Sequence, residues 1–297
     1  MRSAARFSIS RRAISTNCSR LMATSGGGTP RGADCTQPRR QRRRLPPMAT
    51  VDVLLHGFSF STNQGRPAFC SVTLVESEGR FILVDPAYVG RRREVSGALE
   101  RRGLTEADID AVVLTHAHWD HAQNFDCFAE APVLLHPRER SYASSPHEND
   151  WATPYWTGLA LETHQLQEVV EGDELAAGVR VIELPGHSVG SIGLVVETAA
   201  GTALVSGDAV HSPWVLESGQ PPIVFGSLSQ ARESVAKGLS AAENIYPGHD
   251  RPFRVVDGEA EYLEPFSLTI TNLEPDREGL HFEADPPSTW IMPGAAP

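Results

Sequence analysis

The stretch THAHWDHAQN carries three histidines and an aspartate within six positions, directly after the apolar run AVVL. His116 and His118 are separated by one residue, so an extended backbone would direct both side chains to the same side. Asp120 and His121 follow at once and can point to a second centre close by. Imidazole nitrogens and carboxylate oxygens together suit zinc, with iron and manganese as alternatives. The spacing H-x-H-x-D-H therefore predicts a metal site.

Three later segments share one construction, in which an apolar strand ends in a glycine-flanked His or Asp. They are VIELPGHSVGS with His187, ALVSGDAVH with Asp208 and NIYPGHDRPF with His249. Glycine lets the backbone turn tightly beside each ligand, where a Cβ would crowd the site. Each segment alone is weak evidence, but together they predict a set of seven ligands: His116, His118, Asp120, His121, His187, Asp208 and His249.

The elements that position these ligands form a succession of short strands from residue 51 onward, because runs rich in Val, Ile and Leu recur between turn signals. The predicted strands are VDVLL, CSVTLVES, RFILVD, AVVLT, PVLLH, VRVIEL, IGLVVE, TALVS and NIY. One helix is predicted over residues 92–103, with Gly103 as its C-cap, and another from Ser229 to Ala242 with a serine N-cap. The TEADI segment shows a capping pattern before a short turn. This order predicts an α/β fold with two sheets packed face to face and helices outside.

Three segments fall outside this pattern. Residues 1–47 form an Arg-rich leader, residues 48–256 the core domain, and residues 257–297 an acidic, proline-rich extension. Residues 141–165 have no clear period and are predicted to be an irregular insertion that forms a wall or lid. In the extension, SLTITNLE is predicted to add a strand and DPPSTWIMPGAAP to form a loose tail.

The leader contains eleven Arg and one acid, so it carries a charge of about +10. Three interpretations stay open: translation from an upstream start codon with the real protein beginning at Met48, a mitochondrial or plastid transit peptide, or a nucleic-acid-binding arm. The net charge of the whole chain is −11, which leaves about −21 for the remainder. A body this acidic disfavours extended contact with nucleic acid.

Neither a membrane segment nor a disulfide framework is predicted. No run of 18 apolar residues occurs, and the four cysteines show no C-x-x-C spacing. A reducing, cytoplasmic compartment is expected, or an organelle if the leader is a transit peptide. Cys70 lies in FCSVTLVE and is predicted to be a buried strand residue rather than a nucleophile.

The H-x-H-x-D-H stretch and the three glycine-flanked segments, in this order, resemble the metallo-β-lactamase superfamily over residues 51–256. The resemblance implies an αβ/βα four-layer sandwich with the metals at one edge of the two sheets. It implies two zinc ions, one held by His116, His118 and His187, the second held by Asp120, His121 and His249, with Asp208 bridging. Because some β-lactamases have a cysteine near the bridging position, Asp208 favours the dinuclear hydrolase branch that includes glyoxalase II and lactonases.

The intervals between the predicted ligands indicate which branches of the superfamily the sequence resembles most. His121, His187, Asp208 and His249 are separated by 66, 21 and 41 positions. These intervals are similar to those of the N-acyl-homoserine lactonase group and of a small animal branch of metallo-β-lactamase-domain proteins, whose ending resembles PGHDRPFRV. The lactonases carry a tyrosine three residues after the bridging Asp, whereas this sequence has His211.

Two metals about 3.5–4 Å apart can share a water and present hydroxide at pH 7. The predicted function is therefore hydrolysis of a lactone, ester or thioester of a small molecule. Asp120 is expected to ligate and to relay the proton. His211 is expected to donate a hydrogen bond to the oxyanion, or else only to cap the strand end. The aromatic residues expected to contact substrate, or else only to pack the insertion, are Trp119, Trp151, Tyr155 and Trp156.

Other functions of the superfamily stay open. A phosphodiesterase or nuclease uses the same dinuclear site, although the 41-residue interval before His249 leaves no room for the large inserted domain of RNA-processing nucleases. An iron-dependent oxidoreductase similar to persulfide dioxygenases is a further alternative. A non-catalytic binding module is disfavoured because all seven ligands are kept. A homodimer is expected by analogy with the family.

Overall fold

The computed structural model describes residues 48–272, 274, 277–281 and 288–297, and the predicted leader lies outside this part of the chain. Its strands, in chain order, are β1 (Thr50–Leu55), β2 (Phe58–Ser59), β3 (Ala68–Phe69), β4 (Val72–Ser77), β5 (Arg80–Val84), β6 (Ala111–Val113), β7 (Val133–Leu135), β8 (Leu166–Glu168), β9 (Glu174–Ala176), β10 (Val179–Glu183), β11 (Ile192–Thr198), β12 (Gly201–Gly207), β13 (Ile223–Val224), β14 (Asn244–Pro247), β15 (Phe253–Val256), β16 (Glu259–Tyr262) and β17 (Trp290–Ile291).

The α-helices are α1 (Arg92–Glu100), α2 (Trp119–Ala122), α3 (Pro137–Ala143), α4 (Thr157–Leu161), α5 (Val215–Ser218) and α6 (Leu228–Ala241). Short 3-10 turns cover Val89–Arg91, Glu106–Asp108, Gln123–Cys127 and Asp208–Val210. None of the helices in the described part of the chain is long and apolar enough to cross a membrane.

Two large mixed sheets hold most of the strands. The first, sheet I, has the order β1-β4-β5-β6-β7-β8, with parallel pairing from β5 to β8. The second, sheet II, has the order β16-β15-β14-β12-β11-β10-β9, and its one crossover, between β12 and β14, is parallel. Two small ribbons, β2–β3 and β13–β17, complete the strands. Since parallel strands need crossover connections, helices lie between them in the sequence.

Alternate residues along the central strands enter different layers, because side chains in a strand point to opposite faces. In β5, Leu83 packs in a cluster with Leu99 of α1, whereas Ile82 packs in a second cluster with Val205 of sheet II. A third cluster joins sheet II to α6. Strands covered on both faces read as continuous apolar runs, as RFILV does. The predicted αβ/βα four-layer sandwich is therefore confirmed.

Both predicted helices are present with shifted ends. Helix α1 ends at Glu100 rather than at residue 103, and Gly103 lies beyond it with φ +74°, the left-handed conformation expected of a C-cap glycine. Helix α6 begins one residue earlier than predicted, because Ser227 rather than Ser229 provides the cap: its Oγ accepts a hydrogen bond from Gln230 N. The capping pattern in TEADI is confirmed.

Two expectations for residues outside the core were wrong. Residues 267–272, predicted to add a strand, have no regular structure in the described part of that segment. The tail was predicted to be loose, yet residues 288–297 are docked: β17 pairs in parallel with β13, and Trp290 N donates to Pro222 O at 2.7 Å. Burial of Met292, which is 4% exposed, explains why this segment holds its place. The insertion over residues 141–165 also contains α4.

Candidate metal centre

The first ligands lie where β6 ends, and a buried aspartate orients two of them. Asp85, directly after β5, accepts hydrogen bonds from Thr115 N and Thr115 Oγ1 at 2.8 and 2.7 Å. The Nδ1 atom of His121 donates to Asp85 Oδ2 at 2.8 Å. The Nδ1 atom of His116 lies 2.9 Å from Thr115 Oγ1. These contacts occupy Nδ1 of both histidines, so each ring presents Nε2 to the site, as carboxylate-supported ligands do.

A tight turn after β10 brings His187 to the same place. His187 Nδ1 donates to Ile223 O at 2.8 Å, and Phe225 N donates to His187 O at the same distance. Gly186, directly before the ligand, has φ +131°, and a Cβ there would collide with the backbone of Ala231 in α6. Only glycine combines this conformation with such a close approach, which confirms the reason proposed for glycine at this ligand.

Asp208 and His249 come from the neighbouring strands β12 and β14. Gly207 precedes Asp208 with φ +51°, and a Cβ on it would collide with Thr115 Oγ1. A Cβ on Gly248 would collide with Asp208 Oδ1. Because these two strands pair in parallel, their ligands emerge from the same edge of sheet II. That edge faces the end of β6, so the two sheets supply the ligands jointly.

Glu139 of α3 connects the two loops that carry the histidines of the first predicted centre. Its carboxylate is fully buried. It accepts hydrogen bonds from Ala117 N at 3.0 Å, from Ser188 Oγ at 2.9 Å and from Gly190 N at 2.8 Å. Ala117 lies between two ligands and Ser188 follows a third, so this side chain fixes one loop against the other.

The seven predicted ligands lie close together, in candidate groups whose ligand atoms are within 4.8 Å of one another. His118 Nδ1 lies 3.1 Å from His187 Nε2, and His121 Nε2 lies 3.3 Å from His249 Nε2. Asp208 Oδ1 is 3.2 Å from His121 Nε2, and its Oδ2 is 3.5 Å from His187 Nε2. One carboxylate therefore reaches a histidine of each predicted centre, which is the arrangement expected of a bridging ligand.

These separations fit metal ligation. Two nitrogens bound to one tetrahedral zinc at about 2.0–2.1 Å lie about 3.3 Å apart, and the observed distances lie close to that value. In the described part of the chain, the buried Nε2 atom of His116 has no hydrogen-bond partner. Buried polar atoms without a partner are costly unless an ion satisfies them. Possible ligand groups are His116–His118–His187, His116–His121–Asp208, Asp120–His121–His249 and Asp208–His211–His249.

The electrostatics favour a site that receives cations. Burial holds the pKa of His116, His118 and His187 below the usual value for histidine, so these rings are neutral and keep a lone pair. Burial opposes the charge of Asp208, but the surrounding imidazoles, first of all His249, outweigh it and hold the pKa of the carboxyl well below its usual range. Burial also disfavours a charge on His121, yet nearby carboxylates raise its pKa well above the usual value.

The site opens into a cavity of about 730 Å³, a size suited to a small organic ligand. Two of the four aromatic residues predicted to contact substrate, Trp119 and Trp151, line this cavity. Tyr155 and Trp156 are not among the lining residues: they are 70% and 51% exposed, and the structure does not bring them to the ligands. Their segment, directly before α4, projects into solvent.

His211 lies beside the predicted ligands. Its ring stacks on His249 with centroids 4.5 Å apart, and it lines the cavity with 5% exposure. Burial lowers the pKa of His211 to about 3, and the neighbouring His249 adds to the effect. Its Nδ1 has no partner in the described part of the chain. The position leaves an imidazole within reach of a substrate.

Sequence reasoning missed Asp85, Thr115 and Glu139, and the cavity wall contributed by residues 288–290. A signal existed for Asp85, because RFILVD also ends an apolar strand in an acid. No local pattern marks Glu139. Cys70 is fully buried, and burial raises the pKa of its thiol to about 12, which agrees with the predicted role as a core residue.

Comparison with known proteins agrees with this geometry. Residues 65–249 match the model of the metallo-beta-lactamase superfamily. Metallo-beta-lactamase domain-containing protein 1 of Xenopus laevis is 32% identical over 209 residues, which cover 70% of this chain and 82% of that protein. An N-acyl homoserine lactonase of Bacillus thuringiensis is 27% identical over 160 residues, which cover 51% of this chain and 60% of the lactonase.

A solved structure of B. thuringiensis AiiA, a variant with N-decanoyl-L-homoserine bound at its active site, superposes with a TM-score of 0.54. It is 19% identical and covers 69% of this chain and 94% of that one, a likeness that supports the fold. The family match, by contrast, extends through all seven ligand positions and over more than half of the chain. The chain accordingly belongs to the metallo-β-lactamase superfamily.

Proposed function

We propose that this protein is a dinuclear zinc hydrolase that opens a lactone, carboxylic ester or thioester of a small molecule. The observation that carries the proposal is the position of Asp208, whose two oxygens face histidines of both predicted centres. A shared carboxylate favours two ions over one. The likeness to an N-acyl homoserine lactonase supports a carbonyl substrate.

The ligands divide into two sets. One ion would be held by His116, His118 and His187, and the other by Asp120, His121 and His249, with Asp208 shared between them. When bound, the two ions would supply a water-derived nucleophile at neutral pH and polarise the substrate carbonyl. The chain needs no serine or cysteine nucleophile for this chemistry, and its buried Cys70 is unsuited to that role.

Two side chains would handle charge and protons around the reacting carbonyl. Asp120 lines the cavity with Oδ2 3.4 Å from His249 Nε2, a position from which it can accept the proton released by water. His211 would donate a hydrogen bond to the oxyanion, the part played by tyrosine in the lactonases that the sequence resembles. Water adds to the carbonyl carbon, the bond to the leaving oxygen or sulfur breaks, and a carboxylic acid and an alcohol or thiol are released.

Acid release gives a direct test. Zinc-loaded full-length protein would be assayed in weak buffer with homoserine lactones, simple esters and thioesters, and with a phosphodiester for comparison. Asp120→Ala should abolish zinc-dependent release of acid, whereas Asp126→Ala, at an exposed aspartate outside the cavity lining, should leave it unchanged.

The test can overturn the proposal in two ways. Cleavage of the phosphodiester alone would assign the site to the phosphodiesterase branch. Turnover that appears only with bound iron and consumes oxygen would assign it to the oxidoreductase branch. His211→Ala should lower kcat by about 10²–10³-fold, the usual cost of one oxyanion donor, with little change in KM; unaltered kcat would remove His211 from the mechanism.

A further inference from the structure

Three aromatic rings form one wall of the cavity. Phe225 lies with its ring centroid 5.2 Å from that of Trp151 and 5.3 Å from that of Trp290, and the two indoles are 5.8 Å apart. All three residues line the cavity. We call this set the aromatic wall. Its rings meet at steep angles, between 58° and 64°, the tilted geometry that aromatic side chains prefer.

The aromatic wall adjoins the metal ligands. The ring of Phe225 lies 4.5 Å from that of His118 and 5.8 Å from that of His187. A substrate whose carbonyl lies at the ligands can therefore place a neighbouring apolar group on the wall. Phe225 is 2% exposed, whereas Trp151 is 48% exposed and keeps part of its indole face open to the cavity beside Arg66. Such a face inside a concave site gains free energy when a ring covers it.

The wall is held rigid by a segment that the superfamily match does not reach. Trp290 belongs to β17, outside the matched residues 65–249. Met292 N donates to Val224 O at 2.8 Å, and Gln220 Nε2 donates to Thr289 Oγ1 at 2.6 Å. These contacts fix β17 on β13, whose Ile223 accepts the hydrogen bond from His187. A rigid wall of this kind selects by shape, because little ordering is needed on binding.

A cation lies at the rim of the wall. The guanidinium carbon of Arg66 is 5.5 Å from the ring centroid of Trp151, and Arg66 lines the cavity. The ion pairs found among the described residues involve other arginines and a lysine, so Arg66 has no carboxylate partner there. Apart from histidines, Arg66 is the cationic residue of the cavity lining. A guanidinium favours a carboxylate, which it can bind through two parallel hydrogen bonds.

We propose that the aromatic wall, with Arg66 at its rim, is the subsite that selects an acyl group carrying both an aromatic ring and a carboxylate. The proposal rests on the proposed function and names the substrate class of the same site. Ring and carboxylate are recognised by different residues, so their contributions to binding can be separated. Because the chain carries a net negative charge, Arg66 in the cavity does not belong to a generally basic surface.

The test uses four thioesters of one thiol, with acetyl, succinyl, phenylacetyl and phenylsuccinyl groups, on zinc-loaded full-length protein. The phenylsuccinyl thioester should show the lowest KM. Trp151→Ala should raise its KM by about tenfold and remove the advantage of the ring. Arg66→Gln should raise KM by a similar factor for the two acyl groups with a carboxylate and for no others. In each case kcat should stay within about twofold, since neither residue lies at the reacting carbonyl.

Matched controls separate recognition from folding. Tyr262→Ala removes an exposed aromatic side chain that also stacks with an arginine but lies outside the cavity lining. Arg180→Gln removes an exposed arginine of β10. Neither should change the order of the four KM values. Trp290→Ala tests the contribution of β17, and because Trp151 is half exposed, Trp151→Ala provides the test if Trp290→Ala fails to fold.

Failure of the proposed function can be told apart from failure of the subsite. If no lactone, ester or thioester is hydrolysed, the proposed function fails, and calorimetry with phenylsuccinate, succinate and phenylacetate tests the subsite alone. Tighter binding of phenylsuccinate than of the other two, lost in Trp151→Ala and in Arg66→Gln, would support it. Equal binding of the three acids, or KM values that do not respond to either substitution, would overturn the proposal.

Discussion

Glu139 offers the sharpest test of how the first centre is held together. In Glu139→Ala, the buried amides Ala117 N and Gly190 N lose their acceptor, whereas Ser188 Oγ keeps a partner in Ser191 Oγ at 2.7 Å. Each orphaned amide costs about 1–3 kcal/mol. Removing the buried carboxylate relieves part of its desolvation cost. The free energy of unfolding of the metal-free protein should therefore fall by about 3 kcal/mol.

Glu139→Gln is the matched comparison, since its amide oxygen can accept from one of the two amides but not from both. It should cost about half as much as Glu139→Ala. Urea unfolding in the presence of a chelator measures both values, with Glu233→Ala on the exposed face of α6 as a control that should change little. Zinc titration should show weaker binding, because the loop that carries His116 and His118 is no longer fixed against the loop that carries His187. Equal stability of wild type and Glu139→Ala would refute the reasoning, and so would equal loss in the two variants.

Glu139 should also make the stability of the folded protein depend on pH. Burial raises the pKa of Glu139 above its usual value, so the folded protein keeps a proton that the unfolded chain loses at about pH 4.3. The stability advantage of wild type over Glu139→Gln should be largest below about pH 4.3 and should shrink as the pH rises through the folded pKa. An advantage that grows with pH would contradict this sign.

Three further predictions concern the turns, the buried aspartate and the metals. Gly186→Ala should destabilise the protein by more than about 3 kcal/mol in urea unfolding, because backbone strain and a collision with the backbone of Ala231 add together. Gly172→Ala, with φ +86° and open space around the residue, should cost only about 1 kcal/mol. Equal costs for the two variants would exclude the collision as the cause. Asp85→Asn should weaken zinc binding by about 10–100-fold in chelator competition, because His121 loses its carboxylate partner; unchanged affinity would show that the partner is dispensable. Removal of zinc should lower the midpoint of thermal unfolding, by an amount equivalent to about 4 kcal/mol if free zinc had been a thousand times its Kd; an unchanged midpoint would contradict a metal site in the native protein.

The candidate ligands that the structure brings together could be named from the sequence, because each stands in a short local motif. His116 to His121 form one contiguous signature, and each later ligand follows an apolar strand and adjoins a glycine. The four-layer fold followed from the same strands, whose alternate residues enter different clusters. Helix ends were less accurate, since Ser227 and Ser229 are both able to cap and only the backbone geometry distinguishes them.

The supporting residues could not be predicted, because their partners are distant in sequence. Asp85 contacts His121 across 36 positions, and Glu139 contacts Gly190 across 51. RFILVD marks Asp85 as an acid at a strand end but does not indicate His121 as its partner, and Glu139 stands in no local pattern. The docking of residues 288–297 was missed for a similar reason: the segment is rich in proline, and its attachment depends on the two-residue strand β13.

The carboxylate of Asp85 links the two predicted metal centres, so binding of one ion should affect binding of the other. Its Oδ2 accepts from His121, a ligand of one predicted centre, and from Thr115 Oγ1, which contacts His116, a ligand of the other. Filling either centre would fix a ring that this carboxylate contacts, directly or through Thr115, and so prepare the opposite ligand. Thermodynamic linkage then requires the effect to be reciprocal, with a coupling free energy of about 1–3 kcal/mol. Loading would be cooperative, and protein given half its zinc would contain mainly empty and fully loaded molecules.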